Sequence, residues 1–154
     1  MNVVFLDYDG VVNTPIWSSD GSECRFNHPE DNKVNNFQAV QWLSKFCIKY
    51  NYSIVVTSTW RRHGNYKECL INGGLNQDID ILGKTPHFDD CSRHTEIETY
   101  LTAHPEIDKY IIIDDDGDMG NLSNYLVKCD TVVGFTLNEF KLAENIHNIL
   151  WNRK

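Results

Sequence analysis

Apolar and polar positions along this chain predict strands that are separated by helices. Short apolar runs bounded by polar residues predict buried strands at 3–6, 54–56, 79–82, 110–113 and 131–133. Apolar residues at helical spacing predict helices over 33–50, 65–71, 92–103 and 137–151. Because strands that alternate with helices form βαβ units, the sequence predicts an α/β fold with a doubly wound parallel sheet and helices on both faces.

Two irregular segments interrupt this alternation. Residues 14–32 are rich in Ser, Gly, Asp and Asn and are longer than a usual βα loop, so they predict either a flap over a site or an inert excursion. Residues 62–91 predict an irregular insertion. Neither segment reaches the usual size of a separate cap domain, and we therefore expect one domain over residues 1–154 without a large cap.

Polar clusters follow three of the predicted strands. These clusters are Asp7 with Asp9, Thr57 with Ser58, and Asp114 with Asp115. In a parallel sheet the carboxyl ends of the strands share one edge, so residues distant in the sequence can converge there. Carboxylates that share a small pocket need a compensating cation, and hard oxygen ligands of this kind suit a Mg²⁺ ion that meets its substrate through phosphate.

A basic residue is also expected at this edge, because a phosphate brings further negative charge. Arg93 stands at the predicted start of the helix that precedes the strand at 110–113. Lys84, in Gly-Lys-Thr-Pro, is the alternative. The place of Arg93 at a helix start favours it over Lys84.

These elements, in this order, resemble the motifs of the haloacid dehalogenase-like (HAD) superfamily, most of whose members are Mg²⁺-dependent phosphohydrolases that work through an aspartyl phosphate. The most specific part is Phe-Leu-Asp-Tyr-Asp-Gly-Val-Val-Asn at 5–13. More narrowly, the segments 9–13, 57–61, 93–97 and 113–116 are similar to the small phosphatase modules of RNA-repair proteins. Superfamily members more often carry lysine where this sequence has Arg93.

The resemblance implies a chemical role for each polar residue. Asp7 would attack phosphorus, and Asp9 would protonate the leaving oxygen and then activate the hydrolytic water. Either Thr57 or Ser58 would hydrogen-bond a phosphoryl oxygen. Arg93 would neutralise charge on the phosphoryl group.

The resemblance also implies a metal site. Asp114 and Asp115, with Asp7 and the carbonyl group of Asp9, would hold Mg²⁺ directly or through water. The six histidines show no spacing typical of metal ligands. Mg²⁺ is therefore the cofactor that we expect.

An open site would admit large substrates, so the preferred substrate is a phosphorylated polynucleotide end, single-stranded RNA or DNA. The surface that contacts the polynucleotide would be formed by Trp60, Arg61 and Arg62, with Arg25 and His63. Trp60 has an equal claim to be a core residue.

Two alternatives to this substrate remain open. In the first, the protein is a phosphatase for nucleotides or other small phosphomonoesters, and residues 14–32 close over the substrate. In the second, it is a non-catalytic binding module that retains the fold. Intact Asp7 and Asp9 argue against the second alternative, because a degenerate site would have lost one of them.

Composition constrains the partners and the compartment. A net charge of −8 argues weakly against broad attraction to nucleic acid, although a local basic patch can override it. The five cysteines are odd in number and widely spaced, which predicts free thiols in a reducing cytoplasm. No apolar stretch approaches the roughly 18 residues that a membrane span requires, so we expect no membrane contact. The oligomeric state stays open.

Overall fold

The structure, a computed structural model, describes residues 1–152 and is built on a five-stranded parallel sheet. Its strands in chain order are β1 (Asn2–Leu6), β2 (Ile16–Trp17), β3 (Cys24–Arg25), β4 (Tyr52–Val56), β5 (Ile81–Lys84), β6 (Lys109–Asp114) and β7 (Leu126–Lys128). The main sheet has the order β5-β4-β1-β6-β7, and every neighbouring pair in it is parallel. Strands β2 and β3 form a separate antiparallel hairpin.

Four α-helices flank the main sheet: α1 (Phe37–Tyr50), α2 (Tyr66–Asn72), α3 (Arg93–Ala103) and α4 (Leu137–Asn152). Side chains alternate between the two faces of each strand, so Val4 and Leu6 of β1 pack into one core cluster and Val3 and Phe5 into another. The first cluster receives α1, α2 and α4, and the second receives α3. The predicted doubly wound α/β fold is confirmed.

The order of the strands places a crevice beside β1. The chain runs outward from β1 through β4 to β5 and then returns to the other side of β1 with β6 and β7. A reversal of this kind leaves a crevice at the carboxyl ends of the strands, which is where open α/β sheets bind ligands.

The two irregular segments make different contributions to this fold. Within 62–91 the chain forms α2 and then β5, which pairs with β4 at the edge of the main sheet. Residues 14–32 hold the β2–β3 hairpin and a short 3₁₀ turn, Pro29–Asp31. Within residues 1–152 no cap domain covers the carboxyl edge of the sheet.

The predicted strand at 131–133 is wrong. These residues form an exposed turn, in which Asp130 accepts hydrogen bonds from the amide groups of Val132 and Val133. The last strand is β7, which pairs with β6 at the other edge of the sheet. An apolar triplet is too short to distinguish a strand from a turn, and here an Asp side chain that bonds the backbone decides for the turn.

The predicted helix at 33–50 begins later than expected. Val34 is buried, but its amide group donates to the carbonyl of Cys69, so this residue belongs to a loop. The Asn36 side chain accepts a hydrogen bond of 3.0 Å from the amide of Ala39 and caps the helix at Phe37.

Two expectations from composition can be compared with the structure. All five cysteines are free thiols, as predicted. None of the helices within residues 1–152 has the length and apolar character needed to cross a lipid bilayer.

Candidate active site

The register of the central strands aligns three polar residues at the carboxyl edge of the sheet. Leu6 of β1 lies beside Val56 of β4 and Ile113 of β6, so the next residues are Asp7, Thr57 and Asp114. The amide of Thr57 donates to the carbonyl of Leu6, and the amide of Asp7 donates to that of Ile113. These hydrogen bonds extend the pairing by one residue and hold the polar side chains at the crevice.

Three carboxylates meet at this edge. One side-chain oxygen from each of Asp7, Asp114 and Asp115 lies within 4.8 Å of the others, and we call these three residues the carboxylate cluster. Asp7 and Asp114 are buried and Asp115 is half-buried. The arrangement concentrates negative charge where little water can screen it.

Arg93, the first residue of α3, contacts two members of this cluster. Its Nη1 lies 3.0 Å from Oδ1 of Asp7 and 2.8 Å from Oδ2 of Asp114. Lys84 contacts none of them: its ammonium donates to the carbonyl of Arg61 at 3.0 Å and lies 5.3 Å from the centre of the Tyr66 ring. Of the two basic candidates, the structure brings Arg93 to the carboxylates.

The pKa shifts of Asp7, Asp114 and Arg93 show that negative charge in the cluster is only partly compensated. Burial, followed by the negative charge of Asp114, raises the pKa of Asp7 well above its usual value, against the effect of Arg93. Burial also raises the pKa of Asp114. Although burial alone lowers the pKa of Arg93, Asp7 and Asp114 raise it by more. One guanidinium group therefore compensates the cluster only in part.

The donor set of the cluster fits a small divalent cation. Carboxylate oxygens are hard ligands, and a cation between them would relieve the repulsion that raises the pKa of Asp7. Mg²⁺ typically uses one or two carboxylates and completes its shell with water and phosphate oxygens, so three carboxylates suffice.

Of the two candidate hydroxyl groups after β4, that of Thr57 has no hydrogen-bond partner among the described residues. Its Oγ1 is buried and unpaired within residues 1–152. The hydroxyl oxygen of Ser58 instead accepts a hydrogen bond of 3.2 Å from the amide of Trp60, which caps a short 3₁₀ turn. A buried hydroxyl without a partner is costly, so the Thr57 side chain is the better placed of the two for an incoming ligand.

Asp9 lies outside the carboxylate cluster and has hydrogen-bond partners of its own. Its Oδ1 accepts hydrogen bonds from Asn13 Nδ2 at 2.8 Å and from Trp60 Nε1 at 3.2 Å. Both bonds end on the same oxygen, which leaves Oδ2 as the atom that can carry and deliver a proton. Asn13 is the last residue of the motif at 9–13, but the motif alone does not indicate that its side chain contacts Asp9.

Gly10 and Thr131 both lie next to the Oδ2 atom of Asp115. The hydroxyl group of Thr131 donates a hydrogen bond to Asp115 Oδ2 at 2.9 Å. The sequence pattern does not predict this contact, because it places Thr131 in a strand. Gly10 has φ +80°, and a Cβ atom added there would lie 2.3 Å from the same oxygen. The absence of a side chain at Gly10 thus leaves the space that Asp115 fills.

Replacement of this glycine should displace Asp115. We expect Gly10→Ala to lower the free energy of unfolding by more than Gly21→Ala, and to weaken the rise in melting temperature that Mg²⁺ produces. Gly21 is the matched control, because it has φ +73° but open space around it, so alanine there adds only a backbone cost of about 1–2 kcal/mol. Urea unfolding and Mg²⁺ titration of thermal melts measure both effects; equal behaviour of the two variants would contradict the steric role.

The expected contact surface for a polynucleotide is only partly present. Trp60 is 3% exposed and Arg61 is 2% exposed, so neither can stack on a base or reach a phosphate in this structure. The contact role of Arg61 is wrong, and for Trp60 the core alternative is confirmed, because a 3₁₀ turn over Thr59–Arg62 directs both side chains inward. Arg62 and His63 are exposed, and Arg25, on the hairpin, pairs with Asp31 at 3.4 Å.

Arg61 links the loop after β4 to neighbouring segments through hydrogen bonds and an ion pair. Its guanidinium donates to the carbonyl groups of Thr57, Ser58, Thr85 and Pro86, and it pairs with Glu96 of α3 at 2.8 Å. Because Arg93 begins the same helix, this ion pair links the loop after β4 to the helix that carries Arg93. The sequence showed Glu96 in a motif but did not show its partner.

The sequence matches, over residues 3–140, the family described as the HAD domain in Swiss Army Knife RNA repair proteins. The matched range contains the whole carboxylate cluster, Asp9, Thr57 and Arg93. No curated protein matches the chain.

Proposed function

The chain belongs to the family of HAD domains in Swiss Army Knife RNA repair proteins, and on that premise we propose that it is a Mg²⁺-dependent phosphatase that acts through an aspartyl phosphate on Asp7. The observation that carries this proposal is the meeting of Asp7, Asp114 and Asp115 with Arg93 at the crevice of the sheet. Family membership supports a hydrolase of the HAD type. The metal, the intermediate and the substrate belong to the proposal.

In the first step Asp7 is the nucleophile. One of its carboxylate oxygens attacks phosphorus, a new P–O bond forms, and the bond from phosphorus to the leaving oxygen breaks. Asp9 transfers a proton from Oδ2 to the leaving oxygen. The Thr57 hydroxyl donates to a phosphoryl oxygen, and Arg93 balances the negative charge of the transferred group.

In the second step water releases the phosphate. Asp9, now ionised, removes a proton from water as the water oxygen attacks phosphorus. The bond between phosphorus and the Asp7 oxygen breaks, which returns Asp7 as a carboxylate and releases inorganic phosphate. Asn13 and Trp60 fix the orientation of Asp9 in both steps through their hydrogen bonds to Oδ1.

Mg²⁺ would be held by Asp7, Asp114 and Asp115, together with the carbonyl group of Asp9. When bound, it supplies the positive charge that allows an anionic carboxylate to approach an anionic phosphate. Thr131 and Gly10 then serve the site indirectly, because they fix the position of Asp115.

The proposed substrate is a phosphorylated polynucleotide end. The name of the matched family and the open carboxyl edge support this choice, and Arg62 and His63 are exposed basic groups that line a cavity with Asp9. The second candidate is a small phosphomonoester, with residues 14–32 acting as a flap. The observation that favours it is that His28 and Pro29, from that segment, line a cavity together with Asp9.

Phosphate release from a substrate panel tests the proposal. We expect activity on end-phosphorylated oligonucleotides in Mg²⁺ to exceed that on nucleotides and sugar phosphates. Excess chelator should remove the activity and Mg²⁺ should restore it, whereas Ca²⁺ should support binding but little turnover, because its larger and more flexible shell disturbs in-line geometry.

Two results would count against the proposal. Full activity in excess chelator would refute the metal-dependent mechanism. A higher kcat/KM for a sugar phosphate or a free nucleotide than for any oligonucleotide would favour the second candidate substrate.

A further inference from the structure

A cavity of about 560 Å³ opens beside Asp9 and is separate from the carboxylate cluster. Its walls are Asp9, His28, Pro29, Thr59, Trp60, Arg62 and His63, and we call it the side cavity. None of Asp7, Asp114 or Asp115 lines it. Its volume lies in the range of sites for small molecules, so it can hold a group the size of a nucleotide.

Three of the seven residues that line the side cavity have basic side chains, although the protein carries a net charge of −8. Arg62 is permanently charged, and His28 and His63 are both able to donate hydrogen bonds to an anion. Among the ion pairs within residues 1–152, none involves Arg62, His28 or His63. These three side chains are therefore available to a ligand, and that ligand should be anionic.

The position of Asp9 relates this cavity to the reaction. Among the described residues, Asp9 is the only carboxylate that lines the side cavity. In the proposed mechanism Asp9 transfers a proton to the leaving oxygen. The leaving group must then lie against Asp9, on the side of the cavity. Arg62, His28 and His63 consequently face the part of the substrate that departs, and not the phosphate that is transferred.

We propose that the side cavity binds a second phosphate of the substrate, carried on the same sugar as the phosphate that is removed. This inference rests on the proposed phosphatase function and specifies its substrate class. The preferred substrate is then a sugar with phosphate groups on both sides, as at the end of a polynucleotide or in a nucleoside bisphosphate. A nucleoside monophosphate leaves the basic groups of the cavity without a partner.

Discrimination between a nucleoside bisphosphate and the corresponding monophosphates measures this role. The substrates are thymidine 3′,5′-bisphosphate and the two thymidine monophosphates, and chromatography of the products identifies which phosphate is removed. We expect the parent to prefer the bisphosphate, and Arg62→Gln to lower this preference, as a ratio of kcat/KM values, by about 10- to 100-fold, the worth of one charge-assisted hydrogen bond. Lys141→Gln, which removes one exposed positive charge from α4 outside the cavity, should leave the ratio unchanged.

Binding to the Asp7→Asn variant separates failure of this inference from failure of the proposed function. We expect calorimetric titration of that variant to show bisphosphate binding that weakens by a similar factor when Arg62→Gln is added. If the parent releases phosphate but does not prefer the bisphosphate, the second-phosphate site is refuted and the phosphatase stands. If no substrate is hydrolysed, the phosphatase proposal fails. In that case bisphosphate binding that depends on Arg62 still supports the second-phosphate site. Bisphosphate binding that is absent, or that does not depend on Arg62, refutes the second-phosphate site.

Discussion

Asp7→Asn should abolish turnover while the protein stays folded. The amide has nearly the same shape as the carboxylate but cannot serve as a nucleophile, so we expect phosphate release to fall by at least about 10³-fold. The substitution also removes the buried carboxyl group of Asp7, whose pKa is raised by burial and by the negative charge of Asp114. Without Mg²⁺, the free energy of unfolding should therefore equal or exceed that of the parent.

The sign of this stability effect follows from linkage. Because the folded state raises the pKa of Asp7, the parent binds more protons when folded, and its stability falls as the pH rises from the usual Asp value through the raised one. Asp7→Asn should reduce that fall, and Asp114, whose pKa burial also raises, should account for what remains. Urea unfolding at several pH values without divalent ions measures it.

Asp116→Asn is the matched control for Asp7→Asn. Asp116 is an exposed acid two residues after the end of β6, next to Asp115, and lies outside the carboxylate cluster. We expect this variant to keep the parent's activity within a few-fold. Turnover of Asp7→Asn within tenfold of the parent would refute the nucleophile assignment, and equal losses in both variants would point to a general charge effect.

Arg61→Met should destabilise the protein more than any other single substitution considered for this site. It removes the guanidinium partner of the buried Glu96 carboxylate, which then keeps a hydrogen bond from the amide of Phe88 and the His87 ring at 3.6 Å. It also removes the donor from the carbonyl groups of Thr57 and Ser58. Loss of one partner from a buried ion pair costs about 3–5 kcal/mol, which is a large part of a typical total of about 5–15 kcal/mol. Urea unfolding should show this loss directly.

A double-mutant cycle with Glu96→Met tests whether the ion pair is the cause. Each single variant buries an uncompensated charge, whereas the double variant buries neither, so its loss should be clearly smaller than the sum of the single losses. Arg62→Met is the control, since the neighbouring Arg62 is exposed and should change the free energy of unfolding by no more than about 0.5 kcal/mol. Additive losses in the cycle would contradict the role of the pair.

The buried pair also explains why the basic residue of the site is Arg93. Glu96 lies one turn after Arg93 in α3, and its contact with Arg61 fixes that helix against the loop after β4. The start of α3 is thereby held at the carboxyl edge, where Arg93 reaches both Asp7 and Asp114. Lys84 lies in β5 at the edge of the sheet, two strands from β1, and it contacts the carbonyl of Arg61 instead.

The fold class and the edge at which the polar residues meet follow from the sequence alone. Apolar runs of strand length can be buried on both faces only in a sheet covered by helices, and parallel strands that end in polar residues bring those residues to one edge. Asp7, Thr57 and Asp114 lie side by side for this reason, because each directly follows, or ends, a central strand.

The direction in which individual side chains point depends on the tertiary structure. The polarity of Trp60, Arg61 and Arg62 suggested one exposed surface, but a 3₁₀ turn buries the first two and exposes the third. The partners of these residues, Asp9 for Trp60 and Glu96 for Arg61, lie about 50 and 35 positions away along the chain. Local sequence patterns report the periodicity of an element, whereas a buried polar side chain is fixed by partners that the fold supplies from elsewhere.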